Sequence, residues 1–437
     1  MCETKELKAG RTNWTDGCTE RINRLRDQYW LNRPEIDTER ARIYTRVYSE
    51  SEGDETVIRR AKALHAYVSE KSLSIGDDEL IVGTDGKKHR SAVVCPDVCF
   101  HWIEDEMDTM STRPQDPYII TDEDKRILKE EIFPYWNGRS MEDYFLANID
   151  DELKNVGLAT NIIFGDIKSQ SGGGEWSVGY HNIILKKGFK GVEEEARGYL
   201  EGLDRSDPQT WDKAKFYEAV IMTCDSARIL SKRYGDYAEE LAKKESDPKR
   251  KAELLQIVEN CRLVPYNPPQ TFWQAVQAVW LTQILICAEE NQNSAIIGRP
   301  DQYLYPFYKK EIENGTITDL QAQELLECLW IKIAEFIFVV SEDSAAYYSG
   351  YISFHGLTVG GVDDNGEDSV NSLSHMALQA TMDLRMHSPT INVRVNKKTP
   401  ESFMEKICDL VKLGTGQPAI FFDETTFMIL ERRGIPL

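Results

Sequence analysis

His355-Gly-Leu-Thr-Val-Gly360, Ile391-Asn-Val-Arg-Val395 and Ala419-Ile-Phe-Phe422 are short runs of β-branched, aliphatic and aromatic residues, set apart by glycine, proline or polar residues. They read as strands, and Leu80-Ile-Val-Gly83 is a fourth candidate. The sequence between the last three runs is helical in pattern. Residues 367–385 fit one helix, and Thr399-Pro400-Glu401 opens another with proline at its first position and Gly414 as its C-terminal stop. Long helices alternating with short strands specify a mixed α/β fold with more helix than strand.

The same reading extends upstream. Thr271-Phe-Trp-Gln274 and Thr318-Asp-Leu-Gln321 each place a hydroxyl three residues before a glutamine, the signature of a capping box. The segment after Thr271 is apolar almost all round, as suits a helix buried in a large protein. After Thr318, Leu325, Leu326, Leu329, Trp330, Ile333 and Ile337 form a core-facing stripe. Another long helix fits residues 212–246. No repeat, low-complexity tract or linker marks a domain boundary.

The chain has 437 residues and 52 Lys+Arg against 73 Asp+Glu, a net charge of −21. A basic face for tracking phosphates is therefore not expected, which argues against nucleic acid and anionic lipid as partners. Met1 to Gly10 is polar and lacks the apolar core of a signal peptide. The longest charge-free apolar stretch, Phe272 to Ala288, is short and interrupted by three glutamines. Nine scattered cysteines form no disulfide framework. Together these features lead us to expect a cytoplasmic protein.

Few local motifs carry chemistry. Cys95-Pro-Asp-Val-Cys99 begins like a three-cysteine cluster loop, but Trp102 stands at the third position. A metal site on Cys95, Cys99 and His101 would need a fourth group, and buried thiols are the simpler reading. Gly83-Thr-Asp-Gly86-Lys87-Lys88 lacks phosphate-loop spacing and reads as a turn. Gly172-Gly-Gly-Glu175-Trp176 is more unusual. Three glycines permit close backbone approach, and a carboxylate beside an indole can hold a quaternary ammonium group. The alternative is a surface loop with a solvated glutamate. Glu342 to Gly356, rich in aromatic and small residues, reads either as a pocket-lining loop or as core aromatics beside a solvent-facing acidic pair.

Several phrases taken together resemble one family. They are Arg59-Arg-Ala-Lys-Ala-Leu64, Asp78-Glu-Leu-Ile-Val-Gly83, Arg113-Pro-Gln-Asp-Pro-Tyr118, Glu130-Glu-Ile-Phe-Pro-Tyr-Trp136, Gly298-Arg-Pro-Asp-Gln-Tyr303 with Tyr305-Pro-Phe-Tyr308, Thr358-Val-Gly-Gly361 and Gly414-Thr-Gly-Gln-Pro-Ala419. This set is similar to the catalytic domain of the pyruvate formate-lyase-like glycyl radical enzymes, from about residue 20 onward. Within that group it looks closest to the choline trimethylamine-lyases.

The resemblance implies a ten-stranded α/β barrel of two half-barrels with helices outside, of which this chain forms the first. Residues 1–20 are then an N-terminal extension, and 21–437 a catalytic domain truncated before its radical cysteine loop and its C-terminal glycine radical domain. No bound cofactor is implied. In the family a separate radical SAM activating enzyme installs a glycyl radical, which passes to a cysteine. The resulting thiyl takes a hydrogen atom from the substrate, and a carbon–heteroatom or carbon–carbon bond breaks. None of the nine cysteines lies in the radical-cysteine motif. The chain alone is therefore expected to be inactive, with a C-terminal complementing chain as a possible partner and a homodimer when complete.

Two pocket residues carry over by resemblance. Glu175 falls where choline lyases have an aspartate near the substrate's cationic end, and Phe354 matches a pocket phenylalanine. Ile167 stands where those enzymes have a tyrosine. The resemblance thus implies a glycyl radical lyase acting on choline or a related small polar substrate, with C–N bond cleavage as the reaction. The alternatives are a dehydratase or decarboxylase of another substrate, and a non-catalytic remnant or partner module. A third class, a metal enzyme, rests only on Cys95, Cys99 and His101.

Overall fold

The computed structural model describes residues 19–160, 176–177, 179–204, 206–289, 295–347 and 349–435. Two strands near the N-terminus, β1 (Glu35–Asp37) and β2 (Ser91–Val93), pair in parallel. Among the described residues, five more strands form a two-stranded and a three-stranded parallel piece. They are β3 (Trp176–Ser177), β4 (Ala295–Ile296), β5 (Gly356–Gly360), β6 (Thr390–Val395) and β7 (Ala419–Phe422). β3 pairs with β4, β5 with β6 and β6 with β7, all in parallel. A parallel bridge between Gly298 and Leu357 joins β4 to β5, so the spatial order is β3-β4-β5-β6-β7. Five parallel strands with crossover helices form the expected first half of an α/β barrel.

One face of the sheet rests on helices. Leu357, Val359, Ile391, Val393 and Val395 are buried in the main core, while Thr358, Thr390, Asn392 and Arg394 alternate to the other, half-buried face. In a half-barrel that second face is the one turned to the barrel interior. At its far edge Ile420, Phe421 and Phe422 are 41%, 49% and 58% exposed, and the following Asp423–Arg432 helix leaves Met428 and Ile429 exposed as well. An apolar strand with one unpaired edge is a template for association. We therefore predict that the chain alone self-associates and that Phe421→Lys with Phe422→Glu suppresses it. Light scattering against concentration checks this, and a monodisperse wild-type monomer would count against it.

The strands at 356–360, 390–395 and 419–422 lie where expected, and so does the long Trp211–Lys244 helix. The helix expected over 367–385 starts later, at Ser372, because Val362 and Asp368 bridge and Asn371 then caps it. Pro400 is the N-cap of the Glu401–Lys412 helix rather than its first residue, and Gly414 follows it with φ of 71°.

Leu80-Ile-Val-Gly83 is not a strand. Its backbone is satisfied by side chains of the Phe272–Glu289 helix instead. Gln277 accepts from Val82 N (2.9 Å) and donates to Val82 O (2.8 Å), Trp273 Nε1 donates to Leu80 O (3.0 Å), and Trp280 Nε1 donates to Gly83 O (3.1 Å). An extended run can find its obligatory partners on a helix as well as on a sheet. The polar groups that keep this helix from reading as a membrane span thus have specific structural work. Among the described residues no helix is long and apolar enough to cross a membrane.

Candidate functional site

The two ends of the parallel sheet differ sharply. At the C-terminal end the chain is locked. Asp301, buried, accepts from Gly360 N (2.8 Å) and Ser374 Oγ (2.7 Å), and Arg299 Nη2 donates to Gly360 O (2.6 Å). Burial raises the Asp301 carboxyl above its ordinary range, against the pull of these donors. Arg394 Nε donates to Asp423 Oδ1 (2.6 Å), whose other oxygen accepts from Val362 N (2.9 Å). A Cβ on Gly360 would lie 2.7 Å from Arg394 O, so the positive φ and the close approach both require glycine. Gly298-Arg-Pro-Asp301 and Thr358-Val-Gly-Gly361 are therefore architectural.

At the N-terminal end, one of the two candidate pocket residues, Phe354, lies among the described residues. Trp176, which opens β3, follows Glu175 directly in the chain. Glu175, the glycine triplet before it and Ile167 lie outside the described residues. Phe354 stands two residues before β5. It is half-buried with φ of +56° and meets Phe338 edge-on at 6.4 Å, beside Val340 and Ala345. The next residue, His355, turns the other way into the core. It stacks on Phe336, and its Nδ1 lies 3.0 Å from Gln283 Nε2 and its Nε2 3.7 Å from Cys287 Sγ. Gln283 Nε2 also donates to Ala295 O (2.9 Å), fastening β4 beside β5. Both Cys287 and His355 are fully buried, so this thiol–imidazole pair packs the sheet from behind. Gln417, before β7, accepts from Ile391 N (3.1 Å) and donates to Met386 O (3.2 Å).

Before β6 sits His387. Burial, with Arg90 adding, lowers its imidazole from the ordinary 6.5 to about 4. Between these values the unfolded chain takes up a proton that the folded chain refuses, so stability is present above pH 6.5 and is lost as pH falls toward 4. We predict that His387→Gln removes on the order of 2 kcal/mol of that loss, a figure reduced for partial exposure. Urea unfolding of both proteins at pH 7 and pH 4.5 measures it. Equal pH dependence in the two would refute the assignment.

The other singled-out residues separate. Cys95 and Cys99 are buried in a second core, while His101 Nε2 lies 2.8 Å from Asp143 Oδ1, so the three do not assemble into a site. Burial pushes the Cys99 thiol well up. Gly83 to Gly86 is a fixed turn whose carbonyls at Thr84 and Gly86 accept from the buried Lys71 ammonium. Glu342 and Asp343 are exposed, as the alternative reading of that stretch has it.

One cluster of potential ligands escaped sequence reasoning, because its members are far apart in the chain. Glu79, His89 and Glu335 bring ligand atoms within 4.8 Å of one another. A cation already sits among them. Lys332 Nζ, on the Asp319–Ala334 helix, pairs with Glu79 and lies 3.2 Å from Glu335 Oε2, while His89 Nδ1 is 3.0 Å from Glu335 Oε1. Burial works to lower Lys332, but Glu335 and Glu79 outweigh it and raise the ammonium. Glu335 chiefly raises His89 against burial, and Glu335 itself is held low by His89 and Lys332 despite its burial. The cluster is an internally neutralised ionic knot.

Comparison with known proteins agrees with this architecture. The family described as pyruvate formate lyase-like matches residues 14–437. An isethionate sulfite-lyase from Oleidesulfovibrio alaskensis is 34% identical over 424 residues, 95% of this chain and 51% of the relative. A trans-4-hydroxy-L-proline dehydratase from Clostridioides difficile is 34% identical over 426 residues, 96% of this chain and 53% of the relative. The glycerol-bound B12-independent glycerol dehydratase from Clostridium butyricum superposes with a TM-score of 0.91 at 35% identity, covering 96% of this chain and 52% of that one. The chain thus spans about half the length of the relatives it matches. By name these relatives act on isethionate, hydroxyproline and glycerol, and they do not support the expected preference for choline.

Proposed function

The chain belongs to the pyruvate formate lyase-like family, and from that premise we propose that it forms the substrate-binding half-barrel of a glycyl radical dehydratase or lyase. The observation that carries the proposal is a five-stranded parallel half-barrel with an uncovered apolar edge, matching half of each relative. In this reading residues 1–20 are an extension and 21–437 the first part of the catalytic domain. The remaining part supplies the thiyl-forming cysteine and the radical glycine, in a continuous chain or in a complementing one. A radical SAM enzyme activates the assembly, which is a cytoplasmic homodimer.

Within the half-barrel, Glu175 and Phe354 flank the substrate. The carboxylate accepts a hydrogen bond from a substrate hydroxyl, or balances a positive charge, while the ring closes the apolar side. Burying the substrate in a dry barrel also shields the radical from quenching. Dehydration of a small hydroxylated substrate is favoured over C–N cleavage of choline by the hydroxyproline and glycerol dehydratases among the relatives. The test is a substrate panel of glycerol, trans-4-hydroxy-L-proline, isethionate and choline on the anaerobically activated assembly. Turnover of a hydroxylated substrate above choline is expected. Turnover of choline alone would restore the C–N lyase reading, and failure to form any glycyl radical would reject the family chemistry for this protein.

A further inference from the structure

We propose that Asp116, with Tyr118, is a positioning residue that sets Phe354 at the mouth of the strands and so tunes which substrates fit; this rests on Phe354 being a pocket residue. Phe354 cannot hold its place alone. Its φ of +56°, like +60° at Tyr351, lies in the left-handed region that bulky residues avoid, and such strain persists only where surroundings over-determine it.

The restraint comes from a loop more than 200 residues away in sequence. The Asp116 carboxylate accepts from Gly350 N (2.8 and 2.9 Å) and from Tyr351 N (3.0 Å), and Tyr351 Oη donates to Pro117 O (2.9 Å). Tyr118 Oη donates to Phe338 O (3.0 Å) and accepts from Val340 N (3.1 Å), fixing the segment against which Phe354 packs. Arg113 ties the clamp together, donating to Asp116 O (2.9 and 3.1 Å) and to Glu106 Oε2 (3.1 Å). Glu106 in turn accepts from Glu342 N (2.9 and 3.0 Å), at the start of the short Glu342–Ala345 helix that supplies Ala345 to the same cluster. Asp116 is itself buried at φ of +46°. A carboxylate gripping two successive amides, in a residue strained to reach them, is more than a tight turn between surface elements requires. Its effect is to fix the pose of an aromatic ring two strand positions before β5.

Two readouts test this. In the assembled protein, Asp116→Ala speeds amide exchange at Gly350 and Tyr351 about 30-fold without changing the rest, as expected for losing charge-assisted bonds. In the activated assembly, with whichever of glycerol, isethionate and trans-4-hydroxy-L-proline it turns over, the same variant raises KM about tenfold with kcat nearly constant and the glycyl radical signal undiminished. Asp116→Asn, keeping one acceptor oxygen, recovers most of both effects. Should Asp116→Ala not fold, Tyr118→Phe provides the milder break and the same KM shift in smaller measure. Unchanged exchange, or an unchanged KM where Phe354→Ala raises it, overturns the positioning role. If Phe354→Ala leaves KM unchanged while Asp116→Ala still speeds exchange, the pocket assignment is what fails, and the positioning role falls with it.

Discussion

Lys332→Met is expected to cost the chain about 3–5 kcal/mol, the usual price of leaving buried charge uncompensated. The side chains of Lys332 and Glu79 are each only 3% exposed and that of Glu335 is 12% exposed, so the two carboxylates cannot turn to water when the ammonium is removed. His89 remains, at 3.0 Å from Glu335, but a single imidazolium cannot balance both acids. A domain of ordinary stability has only about 5–15 kcal/mol in reserve, so the variant loses a large part of it or does not fold. Urea unfolding followed by circular dichroism gives the difference. The double variant Lys332→Met, Glu79→Gln should recover part of the loss, because it removes one of the stranded charges. A single-variant cost below about 1 kcal/mol would mean that water reaches the knot.

The second large effect is on chemistry. Glu175→Ala is expected to reduce kcat/KM of the activated assembly by about 100-fold, on the scale of losing a charge-assisted hydrogen bond in a dry site. Glycyl radical content should be unchanged, since the proposed reading puts the radical residues outside this half-barrel. Glu175→Gln separates the two roles proposed for the carboxylate. An amide still accepts a hydrogen bond from a hydroxylated substrate, so turnover of glycerol should survive better than turnover of a cationic substrate. The assay pairs substrate kinetics with quantitative electron paramagnetic resonance. Normal turnover in Glu175→Ala removes the residue from the pocket.

What could be read in advance depended on where each interaction has its partners. β5, β6 and β7 were legible because β-branched and aromatic residues cluster locally. β3 and β4 were not, since two residues each give no periodic signal; Gln283 and β5 hold β4, and β4 holds β3. Leu80–Gly83 was misread for the opposite reason: its pattern is that of a strand, but Gln277 and two tryptophans on a helix satisfy its backbone. The stretch holding Phe354 stood out by composition, but the family resemblance was needed to single the residue out, because nothing in an Ile-Ser-Phe-His run announces a left-handed residue. The knot that joins Glu79 and His89 to Lys332 and Glu335 and the grip of Asp116 on Gly350 were invisible, because each brings together segments more than 200 residues apart. Arg113-Pro-Gln-Asp-Pro-Tyr118 and Gly298-Arg-Pro-Asp301 marked the family before their physical work was evident, which is to fasten the two ends of β5.

The central claim is that this half-barrel operates only when joined to a radical-bearing half. The most direct measurement is anaerobic purification, from its own cells, of whatever species carries residues 1–437, followed by electron paramagnetic resonance. The claim predicts a glycyl radical doublet in a species that contains this half-barrel together with the remaining barrel strands. Turnover of substrate by a species of about 50 kDa, carrying this half-barrel without the remaining strands, would contradict it.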